Sequence, residues 1–447
     1  MNDSRAAHVS QRRSATAEDT RQQLARVLES ALAARKQVLR RYTNQTIVAA
    51  LAHAAERWLD ADYEGRTRAV EELCEPLRID PAMLQRGLDN IFSVITPASL
   101  ERLIHEEASP PSGLERPHTL PSGTRARLSG PTIIYHALAG NVPGLSIPAI
   151  IVSLLARSIA IVRDSSRQPL LTGLFLETLA ENAPALAAMV VPVAWPSSRT
   201  DLEALAVGAA SRIEIYGSDR TIDDIHRRYP DRAIRGRGTR VSVGLVPAAS
   251  DTDRWADGFA EDMCMYEGRG CLSPRVIYVV GAAARRDRLM KRLALALRRT
   301  AKLWPQRMQD LEDELLRRAF VDRAEVASAT NEDDRIETGR DGSWCIHATS
   351  KCDMQNGSGM RCVTIVSAAD ERSVAESLEA SRTPTAAVGL AMEPHQDGYH
   401  ELDALMRSAG ATLVCAPGRM QSPPLSWSPD GGRRLGDLLQ WRAPNPS

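Results

Sequence analysis

The stretch MYEGRGCLSPRVIYVV, Met265 to Val280, sets Cys271 behind Gly268 and Gly270 and ahead of Ser273-Pro274 and a β-branched run. Glycine permits torsions and close approaches closed to other residues, and Pro274 keeps the segment out of a helix interior. A tight turn feeding a strand at Val276–Val280 is predicted, with the cysteine on the turn. Such a sulfur has two readings: a nucleophile, or a buried and inert turn cysteine. HALAGNVPG, His136 to Gly144, lies between a strand and a helix, where open α/β sheets bind ligands. Asn141 could project its amide into that crevice, although a plain turn explains the same residues. In IVRDSS, Arg163 and Ser165 could hold ribose or phosphate groups, or could end a strand in solvent. In YGSD, Gly217 and Ser218 precede a helix whose first N–H groups could receive a pyrophosphate. RGRGTR lacks the third glycine of a dinucleotide fingerprint.

Cys345, His347, Cys352 and Cys362 match no standard zinc spacing. A strand predicted at Val363–Val366 favours buried cysteines there, so no metal ligand set is assigned. The chain contains neither G-x-S-x-G nor H-E-x-x-H, which speaks against the common hydrolases.

These residues need elements to position them. Apolar residues recur at helical spacing from Ala17 to about Leu59, and Asp80-Pro81 is a helix start. Glu106 to Gly123 reads as a linker by composition. From PTIIYHAL to TIDDIHRRY, strands and helices alternate, and the strands are apolar throughout. That pattern predicts parallel strands covered on both faces, a doubly wound α/β domain. A second α/β unit is predicted after about Val241, with helices near Arg285–Thr300 and Pro305–Arg323.

The 447 residues suffice for about two or three domains, and 56 basic residues balance 56 acidic ones. No basic stripe suggests nucleic acid. Lys36, Lys291, Lys302 and Lys351 are the only lysines, so positive charge is almost all arginine. The polar N-terminus lacks the apolar core of a signal peptide, and no run is long enough for a membrane span. Seven cysteines without framework spacing fit reduced thiols in a cytoplasm.

Read in order, HALAGNVPG, IVRDSS, RIEIYGSDRTIDDI, RGRGTRVSVG, DMCMYEGRGCLSPRVIYV and CAPGRMQSPPLSWSPDGGRRLGDLLQW resemble the long-chain acyl-CoA reductase family. This is the fatty-acid reductase branch of the aldehyde dehydrogenase superfamily. The resemblance runs from about Pro131 to Trp441 and is most specific at the cysteine segment and at Trp427, Asp430 and Gly431. It implies an aldehyde-dehydrogenase-like α/β fold: a doubly wound cofactor-binding domain, a second α/β catalytic domain and a helical N-terminal region. The expected divisions are a disordered terminus at 1–16, then 17–245, 246–415, and a segment at 416–447 returning to the core or to a subunit interface.

By the same resemblance Cys271 is the nucleophile, and Asn141 with the Cys271 N–H forms the oxyanion hole. Arg163 falls where a lysine usually sits near the adenosine ribose, and Gly217 and Ser218 fall beside the cofactor phosphates. The implied reaction is reduction of an acyl thioester to an aldehyde with NADPH, NADH being the alternative; Arg163 or Arg167 could favour a 2′-phosphate. An acyl-CoA or acyl-carrier substrate and a homo-oligomer are expected. An acyl phosphate substrate, or a non-catalytic scaffold of the same fold, would share the motifs.

One departure has chemical content. Hydrolytic aldehyde dehydrogenases keep a general-base glutamate in the segment matching RGRGTRVSVG, and no acid occurs between Arg232 and Ser250. Water needs a base to attack an acyl-enzyme. Glu267, four residues before Cys271, is the one nearby substitute.

Overall fold

The structure, a computed structural model, describes residues 17–165, 169–196, 198–351 and 359–443. The terminus at 1–16, Ser166, Arg167 and Cys352 therefore lie outside the described residues.

Five helices open the chain: Ala17–Arg41, Asn44–Leu59, Glu64–Leu77, Pro81–Phe92 and Pro97–Glu107. Their starts are written in the sequence. The Asp80 carboxylate accepts from Ala82 N at 2.8 Å with Pro81 behind it, and Thr96 and Ser99 form a reciprocal capping box. Buried Leu51, Ala55 and Trp58 face inward, and Trp58 stacks on Phe92 with centroids 4.9 Å apart. The predicted linker is folded: Pro111–Leu114 makes a 3-10 turn, and Ala108, Gly113 and Leu114 are buried. Its prolines and glycines bend chain that is packed rather than free.

The first parallel sheet has the order Val190–Val193, Ile159–Arg163, Ile133–Ala137, Arg212–Tyr216, Ile234–Arg237. Strand order reverses beside Ile133–Ala137, so the crevice between its carboxyl end and that of Arg212–Tyr216 is a topological switch point. Ile133–Ala137 is buried along its whole length, as two covered faces require. The Ile234–Arg237 strand departs from the sequence reading. Its pattern, Ile-Arg-Gly-Arg, carries little β signal, and pairing with Arg212–Tyr216 supplies what it lacks.

The second sheet runs Arg335–Thr338, Cys345–Thr349, Cys362–Ala368, Pro274–Val280, Val241–Val246, Thr385–Leu390, Leu413–Cys415. Only the edge strand Arg335–Thr338 is antiparallel. Helices Ala283–Leu303 and Leu311–Thr330 accompany it; the latter begins six residues later than the predicted Pro305. A small antiparallel sheet joins His118–Thr119, Arg125–Ser129 and, from the tail, Gln440–Arg442. No helix among the described residues is long and apolar enough to cross a membrane.

Candidate active site

Cys271 sits on the turn between helix Ala256–Cys264 and strand Pro274–Val280. Three consecutive residues before it are left-handed: Tyr266 at φ 52°, Glu267 at φ 60° and Gly268 at φ 69°. Such torsions are strained for Tyr and Glu and persist only where surroundings enforce them. Here the surroundings do. The Tyr266 ring lies against Gly87, where a Cβ would come within 2.7 Å of it. Glu267 forms a fully buried ion pair with Arg361 at 2.7 Å. At Gly268, a Cβ would meet Arg361 N at 2.8 Å and Met263 O at 2.9 Å. Arg269 then donates to Asp313 at 2.9 Å, to Leu77 O at 2.9 Å and to Gln309. Downstream, the Cys271 carbonyl accepts from Ser242 Oγ at 2.6 Å, and that oxygen accepts from Ala387 N at 3.1 Å. The cysteine backbone is thus fixed to the middle of the second sheet.

Glu267 is consequently not the spare base that its position suggested. Its carboxylate faces Arg361, and burial pushes its pKa upward while the guanidinium pulls it down. The segment RGRGTR holds no acid, and two of its three arginines pair with acids instead. Arg235 pairs with Asp430 and Asp437 at 2.6 Å each, and Arg237 pairs with Glu214.

Cys271 lines a cleft of about 440 Å³ together with Asn141, Gly217 and Ser218. Asn141 Nδ2 donates to Arg269 O at 3.1 Å, which ties the GNVPG loop to the cysteine turn. Gly144 at φ 75° lets that loop approach helix Pro81–Phe92; a Cβ there would lie 2.4 Å from Ile91 Cδ1. The Cys271 thiol is half-buried, and burial raises its pKa; its own N–H, Arg275 and Arg240 act in the opposite direction. The cleft walls are mainly apolar, including Ile91, Val94, Ile95, Leu145, Leu425 and Trp427, and no carboxylate lines it among the described residues.

Ser218 caps helix Asp219–Arg228 by accepting from Thr221 N at 3.3 Å, and Gly217 faces it with only ordinary contacts within reach of a Cβ. Arg163 and Ser165 do not line the cleft. Arg163 ends the strand beside Ile133–Ala137 and donates to Trp195 O at 3.4 Å. Ser165 lies against Gly140, where a Cβ would be 2.1 Å from its Oγ, so it abuts the loop that carries Asn141. His136 turns into the core, with Nε2 2.9 Å from Ser153 Oγ, and burial lowers its pKa to about 4.

Cys345 and Cys362 are buried cross-strand partners, and His347 Nε2 lies 3.4 Å from Asp334 Oδ2. That pairing is a core arrangement.

Several cleft residues were not anticipated. Ile91, Val94 and Ile95 come from the N-terminal region, and only tertiary packing brings them in. Arg240 and Arg275 were overlooked. An arginine inside the β-branched run after Cys271 was the signal available for Arg275. The tail contributes Gln421, Leu425, Trp427 and Arg434, as the specificity of that segment hinted.

A family model described as acyl-CoA reductase (LuxC) matches residues 39–441. The long-chain acyl-protein thioester reductase of Vibrio harveyi is 25% identical over 278 residues, 60% of this chain and 57% of that protein. The protein of the same name from Aliivibrio fischeri is 24% identical over 382 residues, covering 82% of this chain and 75% of its own length. Among solved structures, an NAD-dependent benzaldehyde dehydrogenase from Corynebacterium glutamicum superposes with a TM-score of 0.68 at 15% identity, covering 94% of this chain and 89% of that one. GapN glyceraldehyde-3-phosphate dehydrogenase from Methanocaldococcus jannaschii, complexed with NADP, gives 0.65 at 13% identity, with 94% and 93% covered. These structural matches establish an aldehyde-dehydrogenase-like fold. With the family match spanning nearly all of its described length, the chain belongs to the acyl-CoA reductase (LuxC) family.

Proposed function

We propose that this protein reduces a thioester-bound fatty acyl group to the aldehyde through a covalent acyl-cysteine at Cys271. The observation that carries this reading is a fixed cysteine lining a mainly apolar cleft, with a side-chain amide in the same cleft and no carboxylate among the described residues that line it. The Cys271 thiolate attacks the acyl carbonyl and the donor thiolate leaves, so one thioester replaces another. Asn141 and the Cys271 N–H are the donors to the oxyanion; one such donor is worth about 3 kcal/mol. With no carboxylate among its described lining residues to activate water, the cleft favours keeping the acyl-enzyme against hydrolysis. The apolar walls from Ile91 to Trp427 suit an alkyl chain.

A nicotinamide fits the first sheet. The switch point, the open Gly217 and the capped helix start at Ser218 form a cradle for its phosphates, and Arg163 lies one strand away. When bound, a reduced nicotinamide would supply hydride to the acyl carbon, and Asn141 and the Cys271 N–H would hold the resulting hemithioacetal oxyanion on Cys271. Collapse of that adduct returns Cys271 as thiolate and releases the aldehyde.

The relatives' names make an acyl-protein the donor to set beside acyl-CoA. The test is purified protein with long-chain acyl-CoA or an acylated protein, with NADPH or NADH, and with the aldehyde trapped and quantified. Aldehyde formed only with a thioester donor and a reduced nicotinamide supports the reading; none from any pairing overturns it.

A further inference from the structure

Several buried arginines of this fold have an oxygen partner on at least one guanidinium nitrogen, although Arg157 Nε, Arg237 Nε and Arg361 Nη1 go without one. Arg361 meets Glu267 at 2.7 Å, Arg157 meets Asn44 Oδ1 at 2.8 Å, Arg269 meets Asp313 at 2.9 Å and Arg286 meets Asp333 at 3.3 Å. Arg275 is different. Its Nη1 is buried without a hydrogen-bond partner, and no carboxylate pairs with it among the described residues. The fold nevertheless goes to some length to place it. Ser242 pairs with Pro274 and Val243 with Val276, so Arg275 is the extra residue of a β-bulge. Bulges re-aim a side chain, and they gather near active sites. Gly359, at φ 67°, gives the guanidinium its room: a Cβ there would lie 1.3 Å from Nη1. Both Arg275 and Cys271 line the cleft.

A guanidinium does not deprotonate in a protein, so a buried one without an anion is unfavourable. We infer that Arg275 is a positioning residue whose counter-ion is the Cys271 thiolate, favouring the ionised sulfur before acylation and after thiol exchange. This inference rests on the reading of Cys271 as nucleophile. The other charged or titratable groups around the sulfur leave that role open. Glu267 is spent on Arg361, and Asp262 is buried and accepts from Gly418 N at 2.6 Å. Cys415 is half-buried against the same apolar cluster, Cys362 lies on the neighbouring strand, and Arg237, Arg240, Arg269 and Arg434 are the other cations lining the cleft. The electrostatics agree, since Arg275 and Arg240 both pull the Cys271 pKa down against burial.

The test follows Cys271 alkylation by iodoacetamide across pH, read by peptide mass spectrometry. Arg275→Met is expected to displace the rate profile upward by at least about one pH unit, a tenfold slower reaction at neutral pH. Arg275→Lys is expected to recover most of that loss. An unmoved profile in Arg275→Met, or a lysine variant no faster than the methionine one, overturns the inference. A second measurement keeps Arg275 intact. Cys271→Asp places a carboxyl group opposite it that can ionise, and Cys271→Asn a neutral isostere. The aspartate variant is expected to melt above the asparagine variant; the reverse order, normal for a buried carboxylate, overturns the inference. Undiminished turnover by Cys271→Ala would instead remove the proposed function, so the two failures are distinguishable.

Discussion

At the scale of single residues, the site is defined by what faces the sulfur. Asn141 is held by Arg269 O at the edge of the cysteine turn. Asn141→Ala is expected to lower kcat by about 10²–10³ with little change in alkylation of Cys271 by iodoacetamide; equal loss in both assays would mean that the loop, not an oxyanion, was disturbed. Because burial raises the Cys271 pKa, less thiolate is present at neutral pH than for an ordinary thiol. Its alkylation rate is therefore expected to climb about tenfold per pH unit and to continue rising past pH ~8.5, where an ordinary thiol begins to level off. A plateau near pH 7 would contradict this assignment of the sulfur's surroundings. Glu267→Gln removes one charge of a fully buried pair and is expected to destabilise the fold by about 3–5 kcal/mol, measured by denaturant unfolding. A neutral effect would show that the Arg361 guanidinium finds another anion.

At the scale of elements, the cysteine turn is a junction between the N-terminal helices and the second sheet. Gly87 makes the point measurable. In an exposed helix, glycine to alanine gains about 1 kcal/mol. Here the new Cβ would sit 2.7 Å from the buried Tyr266 ring, so Gly87→Ala is expected to destabilise by about 1–3 kcal/mol in thermal or denaturant unfolding. A more stable variant would show that the ring moves freely. The same junction explains what the sequence could and could not disclose. The turn at Cys271 and the alternating strands and helices from 133 to 228 were legible, because glycine, proline and continuous apolar runs act locally. Strand Ile234–Arg237 was not, because Glu214 and Asp430 neutralise arginines that look unsuited to a sheet. Nor was the segment after Glu106, whose turn-forming residues are also consistent with packed chain. The bulge at Arg275 is a register event between two strands and leaves no mark on either alone.

At the scale of the whole molecule, the cleft draws on parts of the chain far apart in sequence. The N-terminal helices, the Asn141 loop, the cysteine turn and the tail all contribute walls, and the tail then pairs with Arg125–Ser129. Their mutual arrangement depends on a core that includes His136, buried with its pKa lowered to about 4. An unfolded histidine titrates near 6.5, so between about pH 6.5 and 4 the unfolded chain binds the extra proton. Stability from this group is present above pH ~6.5 and is lost as pH falls, by roughly 3 kcal/mol at pH 4. His136→Gln is expected to flatten this part of the acid limb in denaturant titrations run at successive pH values; an unchanged limb would assign the acid sensitivity elsewhere. The family assignment was legible because its motifs lie along most of the chain, whereas the cleft walls became visible only in three dimensions.

The central claim is the covalent acyl-cysteine, and intact-protein mass spectrometry after mixing with a long-chain acyl thioester tests it most directly. The expected result is a single added acyl group, mapped to the Cys271 peptide, absent in Cys271→Ala and discharged as aldehyde when reduced nicotinamide is added. Aldehyde production with no adduct at Cys271, or with the acyl group on another residue, would contradict the account.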